Sequence, residues 1–322
     1  MIDFFAPGNG NLCSARRSRR KKMERMRMAK TPIENRIETS VQLTHPERIY
    51  WPDDGVSKQD LVDYYALAWP RMAPFVVNRP LALLRCPDGI SGPRFFQKHA
   101  WKGINPHIEE IADPEDKDGA KLLKIADFDG LAALVQSAAL EIHPWGTTTD
   151  HWEKPDMIIM DLDPGEDVAW AKVITAAKEI RERFSALGLT SFIKTSGGKG
   201  LHVVASLKPK ADWPQVKDIA EAIAHSMSAD SPDAYLSVAS KAKRTGHIFI
   251  DYLRNGRGNT AVAPYSTRAR RGAPISMPLA WEELTNKIGP ASFTVRNATS
   301  RLSKASGDPW ADFFDAASPL KT

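Results

Sequence analysis

Apolar residues recur along this chain in two rhythms, one of short continuous runs and one of helical spacing. Met157-Ile158-Ile159-Met160 is a continuous run of the kind a buried strand shows. It leads into Asp161-Leu162-Asp163-Pro164-Gly165, where proline and glycine should stop the ladder. Residues 170–187 then place Val173, Ala176, Ala177, Ile180 and Phe184 at helical spacing, with Gly188 positioned to end the helix. A strand at 191–194, a glycine-rich loop at 196–200 and a strand at 201–205 follow. Next come a helix at 214–227 and a strand at 247–251. Residues 274–278 read as extended, and 281–284 open a short helix.

The first half is less sharply patterned. Ser57 should cap a helix carrying Leu61, Tyr64, Tyr65 and Leu67, which Pro70 and Pro74 should end. Strands are expected at 80–85 and 94–98, a polar hairpin tip at 112–121, a helix at 131–140, and extended chain at 141–143. Helices and strands interleave without a strict βαβ count, which points to the α+β class. Residues 1–40 read as a basic, flexible arm, 41–300 as the folded body with a change of character near 150, and 301–322 as a C-terminal tail.

Charge changes the picture only locally. The chain of 322 residues has a net charge of +5. Residues 1–30 hold nine Lys/Arg against two acids, so the remaining residues sum to −2. Basicity is therefore a property of the arm, which is either a solvated tail or a DNA-touching one. Within the body, residues 241–271 gather Lys241, Lys243, Arg244, Arg254, Arg257, Arg268, Arg270 and Arg271 around one acid, Asp251. That imbalance suits a polyanion. Cys13 and Cys86 are the two cysteines, too few for a disulfide framework or a multi-cysteine zinc site. No apolar run has the length of a membrane span. These features fit a cytoplasmic protein.

Three stretches carry candidate chemistry. Asp161 and Asp163 stand at i and i+2 of a strand, hence on one face. Paired carboxylates repel unless a hard divalent cation joins them; a capped turn is the plain alternative. Thr195-Ser196-Gly197-Gly198-Lys199-Gly200-Leu201-His202 could bend so that amides point into one concavity, with Ser196, Lys199 and His202 adding donors for a triphosphate. It lacks Walker-A spacing, and a simple hairpin turn is the competing reading. Asp251 ends an apolar strand beside Arg254. It is either the partner of a surface ion pair or a third metal ligand, with Arg254, Arg257 or Arg268 gripping phosphates. Three strand-borne acids beside a phosphate cradle describe two-metal phosphoryl transfer.

Asp161-Leu162-Asp163-Pro164-Gly165, Ser196-Gly197-Gly198-Lys199-Gly200-Leu201-His202-Val203 and Ile250-Asp251-Tyr252-Leu253-Arg254-Asn255-Gly256-Arg257-Gly258 together resemble the three motifs of the polymerase domain of bacterial ligase D, in the archaeo-eukaryotic primase superfamily. The resemblance extends through Phe95-Phe96-Gln97-Lys98-His99 and Leu140-Glu141-Ile142-His143-Pro144-Trp145-Gly146, and runs in order from about residue 45 to 284. It implies a primase-polymerase fold, with mixed and antiparallel sheets forming a central cleft flanked by helices. It also implies DNA-templated addition of ribo- or deoxynucleotides at double-strand breaks and gaps, with two Mn²⁺ or Mg²⁺ ions. By motif, Asp161, Asp163 and Asp251 would hold the metals. Ser196, His202 and Arg268 would contact the triphosphate, and His143 the incoming nucleotide. Phe95 and Lys98 would lie near template and nucleotide, one of Phe95 and Phe96 being core. Arg48 and Lys58 would bind a DNA 5′-phosphate. The implied partners are DNA ends, nucleoside triphosphates, and a Ku-like protein and an ATP-dependent DNA ligase in trans, all at the bacterial nucleoid. A non-catalytic DNA-end bridging module and a metal-dependent nuclease are the alternatives.

Overall fold

The computed structural model describes residues 37–116, 118–239, 244–303 and 307–321. Most of the basic arm, with Cys13, Lys241 and Lys243, lies outside these residues. Ile37–Thr322 forms one unit. Its first residues are tied in: Thr39 and Ser40 hydroxyls donate to Asp129 at 2.6 and 2.5 Å.

The chain opens with a two-strand ladder, β1 (Ile49–Trp51) and β2 (Val56–Ser57), then helix α1 (Lys58–Val76). Ser57 caps α1 through a capping box with Asp60. The helix does not stop at its prolines; Pro70 and Pro74 lie inside it. Neither proline can donate to the carbonyl four residues back, at about 3 kcal/mol each. Burial of Met72, Phe75 and Val76 on the last turn offsets that, at roughly 1.5–3 kcal/mol per side chain.

The first sheet contains β3 (Leu81–Arg85), β4 (Phe95–Gln97), β5 (Glu109–Ala112), β6 (Lys121–Lys124) and β7 (Ala139–Pro144). β7 runs antiparallel along one edge of β3, while β4 and β6 share its other edge. Helix α2 (Phe128–Gln136) connects β6 to β7 and ends earlier than its apolar pattern suggests. Ala138 has a positive φ of 61°, and the chain turns there into β7.

The second sheet holds β8 (Met157–Pro164), β9 (Ser191–Thr195), β10 (Leu201–Ser206), β11 (Tyr235–Leu236), β12 (Ile248–Asp251) and β13 (Pro278–Leu279), in the order β11-β12-β8-β10-β9-β13. Helices α3 (Trp170–Ala186) and α4 (Trp213–Asp230) lie between its strands in sequence, and α5 (Val295–Leu302) follows. β8 runs further than expected and takes in both acids and Pro164, which pairs with Ile248. Its alternation divides the strand. Ile158, Met160 and Leu162 join the main core with Val173, Ala177 and Ile180 of α3. Met157 and Ile159, on the opposite face, pack in a smaller cluster with Phe75, Val204 and Trp310. Further along that second face come Asp161 and Asp163.

Residues 307–321, expected as tail, are packed into the body. Trp310 and Phe313 are buried, stack on one another at 5.2 Å and meet Phe75 and Phe192. Leu207 pairs with Ser318 in a parallel bridge. The segment lacks helical or strand periodicity, so only its aromatic residues marked it. Phe313→Ala should lower unfolding free energy by about 3 kcal/mol, as truncating a buried aromatic does. Urea denaturation measures this; a change under about 0.5 kcal/mol would mean that the segment is not part of the core.

Candidate active site

Strand register assembles the site. Across the second sheet Asp251 of β12 stands opposite Asp161 of β8, Asp161 opposite His202 of β10, and His202 opposite Lys194 of β9. Residues directly paired across strands share a face. Four polar groups from four stretches of chain thus form one row, with Asp163 on the same face two residues along β8. Asp161, Asp163 and His202 line a cleft of about 940 Å³ whose walls include Ser196, Lys199, Arg244, Arg254, Arg268 and Arg270, while Asp251 and Lys194 are buried and do not line it.

The acids meet guanidinium groups. Arg254 Nη2 lies 3.3 Å from Asp161 Oδ2 and 3.1 Å from Asp251 Oδ2, bridging the two carboxylates. Asp163 turns instead to Arg244. Asp161 and Asp251 are therefore brought together, while Asp163 shares their sheet face but not their cation. Among the described residues, no three His, Cys, Asp or Glu side chains are gathered as a ready metal site. The donor chemistry still fits a hard divalent cation. Burial pushes the Asp161 carboxyl up to about 6, Arg254 works against this, and the neighbouring Asp251 and Asp163 raise it further. A carboxyl raised by burial and by two neighbouring carboxylates is one whose charged form a divalent cation would favour.

The glycine loop turns two of the amides expected to face a ligand concavity onto one of its own side chains. Gly198 and Gly200 N–H groups both donate to Ser196 Oγ at 3.1 Å, closing the loop around that hydroxyl. Glycine is required at two places. Gly197 has a positive φ of 63°, and a Cβ at Gly200 would come within 1.7 Å of Leu162 O on β8. The loop is therefore pressed against the acid-bearing strand. Lys199 points outward and pairs with Glu166 at 3.4 Å.

Arg268 reaches the cleft because its segment is stitched to α1 and β7. Tyr64 Oη donates to Tyr265 O at 2.6 Å, Thr267 N donates to Tyr65 Oη at 3.2 Å, and Thr267 Oγ1 donates to Leu140 O at 2.5 Å. Arg268 then donates from Nη1 to Ser196 O at 2.5 Å and lies 3.0 Å from Glu141 Oε2 through Nε. Glu141 also accepts from Ala269 N at 2.9 Å and from His143 Nε2 at 2.9 Å. Burial would raise this carboxyl, but the His143 hydrogen bond and the charges of Arg268 and His143 outweigh it and bring it down to about 2. Burial lowers His143, with Glu141 opposing.

Other expected residues are more dispersed. Phe95 and Phe96 are both exposed, so neither is core. β4 is an edge strand whose faces lie open; Phe95 sits 5.3 Å from the Arg85 guanidinium and Phe96 meets the His143 ring. Lys98 is exposed just beyond it. Arg257, expected as a candidate phosphate ligand, does not line the cleft. It is held by Asp113 at 2.7 Å and Glu153 at 2.8 Å, joining the β5–β6 hairpin to the loop after β12. Arg48 and Lys58 do come together: Lys58 N donates to Arg48 O at 2.8 Å. The Lys58 ammonium is buried and bonds Thr44 O at 2.6 Å and Gln136 Oε1 at 3.2 Å. Burial lowers its pKa, and the Arg48 charge adds to this.

Lys194, Glu141 and Arg244 belong to the site but were not singled out in the sequence. The available signal was a lone charged residue in each of two otherwise buried strands, Lys194 in β9 and Glu141 in β7.

Residues 57–310 match the family model described as LigD, primase-polymerase domain. The chain is 37% identical over 274 residues to the multifunctional non-homologous end joining protein LigD of Pseudomonas aeruginosa, covering 85% of this chain and 33% of that protein. It is 27% identical over 280 residues to the bifunctional non-homologous end joining protein LigD of Bacillus subtilis, covering 86% and 45%. It thus spans between a third and a half of these relatives' length. The polymerase domain of Mycobacterium tuberculosis ligase D, solved in complex with DNA, superposes with a TM-score of 0.79 at 27% identity, covering 87% of this chain and 100% of that one.

Because the folded Glu141 value of about 2 lies below the ordinary 4.5, its ionisation stabilises the fold above pH 4.5, and this contribution is lost as pH falls toward 2. Glu141→Gln should cost about 3 kcal/mol at neutral pH by the conversion of pKa shift to free energy. The gap from wild type should narrow as pH drops through that window. Urea titrations at a series of pH values check it; a pH-independent gap would remove this account of Glu141.

Proposed function

Since the chain belongs to the LigD primase-polymerase domain family, we propose that it is a DNA-templated nucleotidyltransferase acting at broken or gapped DNA ends. One observation carries the proposal. Asp161, Asp163 and His202 open onto the same cleft as Ser196, Arg268 and Arg270, with Asp251 paired to Asp161 across the sheet. Acids for divalent ions thus stand beside a basic wall for a triphosphate.

In this reading a primer 3′-hydroxyl attacks the α-phosphate of a nucleoside triphosphate. The hydroxyl gives up its proton to solvent, a new phosphodiester P–O bond forms, the α–β P–O bond breaks, and pyrophosphate leaves with the displaced charge. Asp161, Asp163 and Asp251 would hold two Mn²⁺ or Mg²⁺ ions. When bound, these supply activation of the hydroxyl and charge stabilisation at the leaving group. Arg254 and Arg244 neutralise the acids in the structure and, lining the same cleft, would serve phosphate oxygens wherever another cation took their place. Ser196, His202 and Arg268 bind and orient the triphosphate, and His143, tied to Glu141, stands beside Arg268 on the facing sheet. Lys199, outward-facing, adds positive charge at the mouth. Phe95 and Phe96 offer exposed rings for unpaired bases, with Lys98 near the DNA backbone.

Arg48 and Lys58 would take the 5′-phosphate across a gap. The neighbour bound to DNA supports DNA as partner. A Ku-like end binder and an ATP-dependent ligase would complete joining, in keeping with the names of the longer relatives. Among the described residues no helix is long and apolar enough to cross a membrane.

Asp161→Ala should abolish metal-dependent incorporation of labelled nucleotide on a gapped duplex while gel-shift binding stays within about threefold. Should the wild type bind DNA and never extend it, the protein is a bridging module whose acids serve the arginines. His202→Ala should cripple nucleotide addition but spare any hydrolysis; loss of both would favour a nuclease.

Arg48→Ala combined with Lys58→Gln, which keeps a donor for Thr44 O, should erase the preference for a 5′-phosphorylated gap. The wild-type preference should weaken with salt as released counterions are replaced. Competition binding with phosphorylated and unphosphorylated gaps measures both; an unchanged preference in the double variant removes these residues from the pocket.

A further inference from the structure

Lys194 is 2% exposed on β9, two strands away from Asp161 with His202 of β10 between them. Its Nζ has three neighbours at hydrogen-bond distance: Val262 O at 3.0 Å, Ser276 Oγ at 2.8 Å and His202 Nδ1 at 3.0 Å. An ammonium has three donors and no acceptor. The Val262 carbonyl can only accept. The single Ser276 hydroxyl proton goes to Thr195 O at 3.0 Å, so Ser276 faces Lys194 as an acceptor too. With two donors used, the third points at His202 Nδ1.

The far side of the ring agrees with this direction. His202 Nε2 lies 3.4 Å from Asp161 Oδ1, and an ionised carboxylate only accepts. A proton on Nε2 satisfies Asp161 while leaving Nδ1 to accept from Lys194. The reverse tautomer would set a ring lone pair against a carboxylate, and it would require Lys194 to give up a proton. Burial holds the Lys194 pKa well below the ordinary lysine value, Asp161 opposing and Arg268 adding to the lowering, so the ammonium assignment stands on the hydrogen-bond geometry: two acceptor-only partners and a ring nitrogen facing one Nζ.

We propose that Lys194 is a positioning residue for the nucleotide, whose buried ammonium fixes His202 as the Nε2–H tautomer and aims a neutral donor into the cleft. The nucleotide part of this inference rests on the polymerase reading above. His202 shares the cleft wall with Ser196 and Arg268. An Nε2–H there can exchange Asp161 for a phosphate oxygen when a nucleotide enters, whereas an Nε2 lone pair would repel one. Lys194 itself touches no ligand; it acts through the ring and adds a fixed positive charge behind it.

Long-range ¹H–¹⁵N correlation spectra of histidine-labelled protein, taken at neutral pH without metal or nucleotide, report the tautomer directly. The His202 signals are assigned by their loss in His202→Gln. Wild type should show His202 protonated on Nε2 alone. Lys194→Met should give mixed tautomers and raise the nucleotide KM by about tenfold or more, the loss of a charge-assisted hydrogen bond network. Affinity for gapped DNA should change less than about twofold, which a merely structural defect would not respect. A wild-type ring protonated on Nδ1, or a Lys194→Met protein with unchanged tautomer and KM, overturns the proposal. If Lys194→Met does not fold, the wild-type spectrum decides alone. An Nε2–H ring in a protein that never incorporates nucleotide would sink the polymerase reading and leave the hold of Lys194 on His202 standing.

Discussion

Antiparallel registration of β12, β8, β10 and β9 is the constraint on which the rest depends. It places Asp251, Asp161, His202 and Lys194 in one line across the sheet. Side chains alternate with a period of two along a strand, so a one-residue slip of β8 would turn Asp161 and Asp163 into the core and expose Met160 and Leu162. The apolar contacts of Ile158, Met160 and Leu162 with α3 therefore act at a distance on the chemistry: they hold the register that aims the acids. Gly200 contributes at the same point, since only a missing side chain lets the loop lie against Leu162 O.

Charge in the cleft is balanced by cations from distant segments. Arg254 bridges Asp161 and Asp251, Arg244 pairs with Asp163, and Arg268 pairs with Glu141. Each arginine holds an acid and faces the cavity, so each has a second role open once another cation or a phosphate arrives. Glu141 differs. It is buried, bonded by His143, Ala269 and Arg268, and held at about 2. It serves as a fixed anchor through which β7 of the first sheet grips the segment that delivers Arg268.

That segment joins the two sheets. Tyr64 and Tyr65 of α1 bond Tyr265 and Thr267, and Ile142 N of β7 donates to Ser266 Oγ at 3.0 Å. The C-terminal aromatics close the opposite end of the same region by covering Phe75 and Phe192. Arg257 ties the hairpin of the first sheet to the loop after β12. Each link is polar or aromatic and spans many residues of sequence.

The sequence by itself determined the elements and the chemistry they carry. The apolar run before Asp161, the glycines before His202 and the lone acid at the end of β12 mark the candidate positions because strand period, glycine freedom and charge clustering are local properties. Helix α1 running through Pro70 and Pro74, the packing of Trp310 and Phe313, and the exposure of both Phe95 and Phe96 were decided by the tertiary structure. Each depends on which partner surface is present, and no window of sequence contains that surface. The same reason separates Arg254 from Arg257. The two are alike in their local motif, but Asp113 and Glu153 reach only Arg257, and Asp161 reaches only Arg254. Lys194 is the furthest from sequence legibility, because its role lies in three acceptors from three other segments converging on one buried nitrogen.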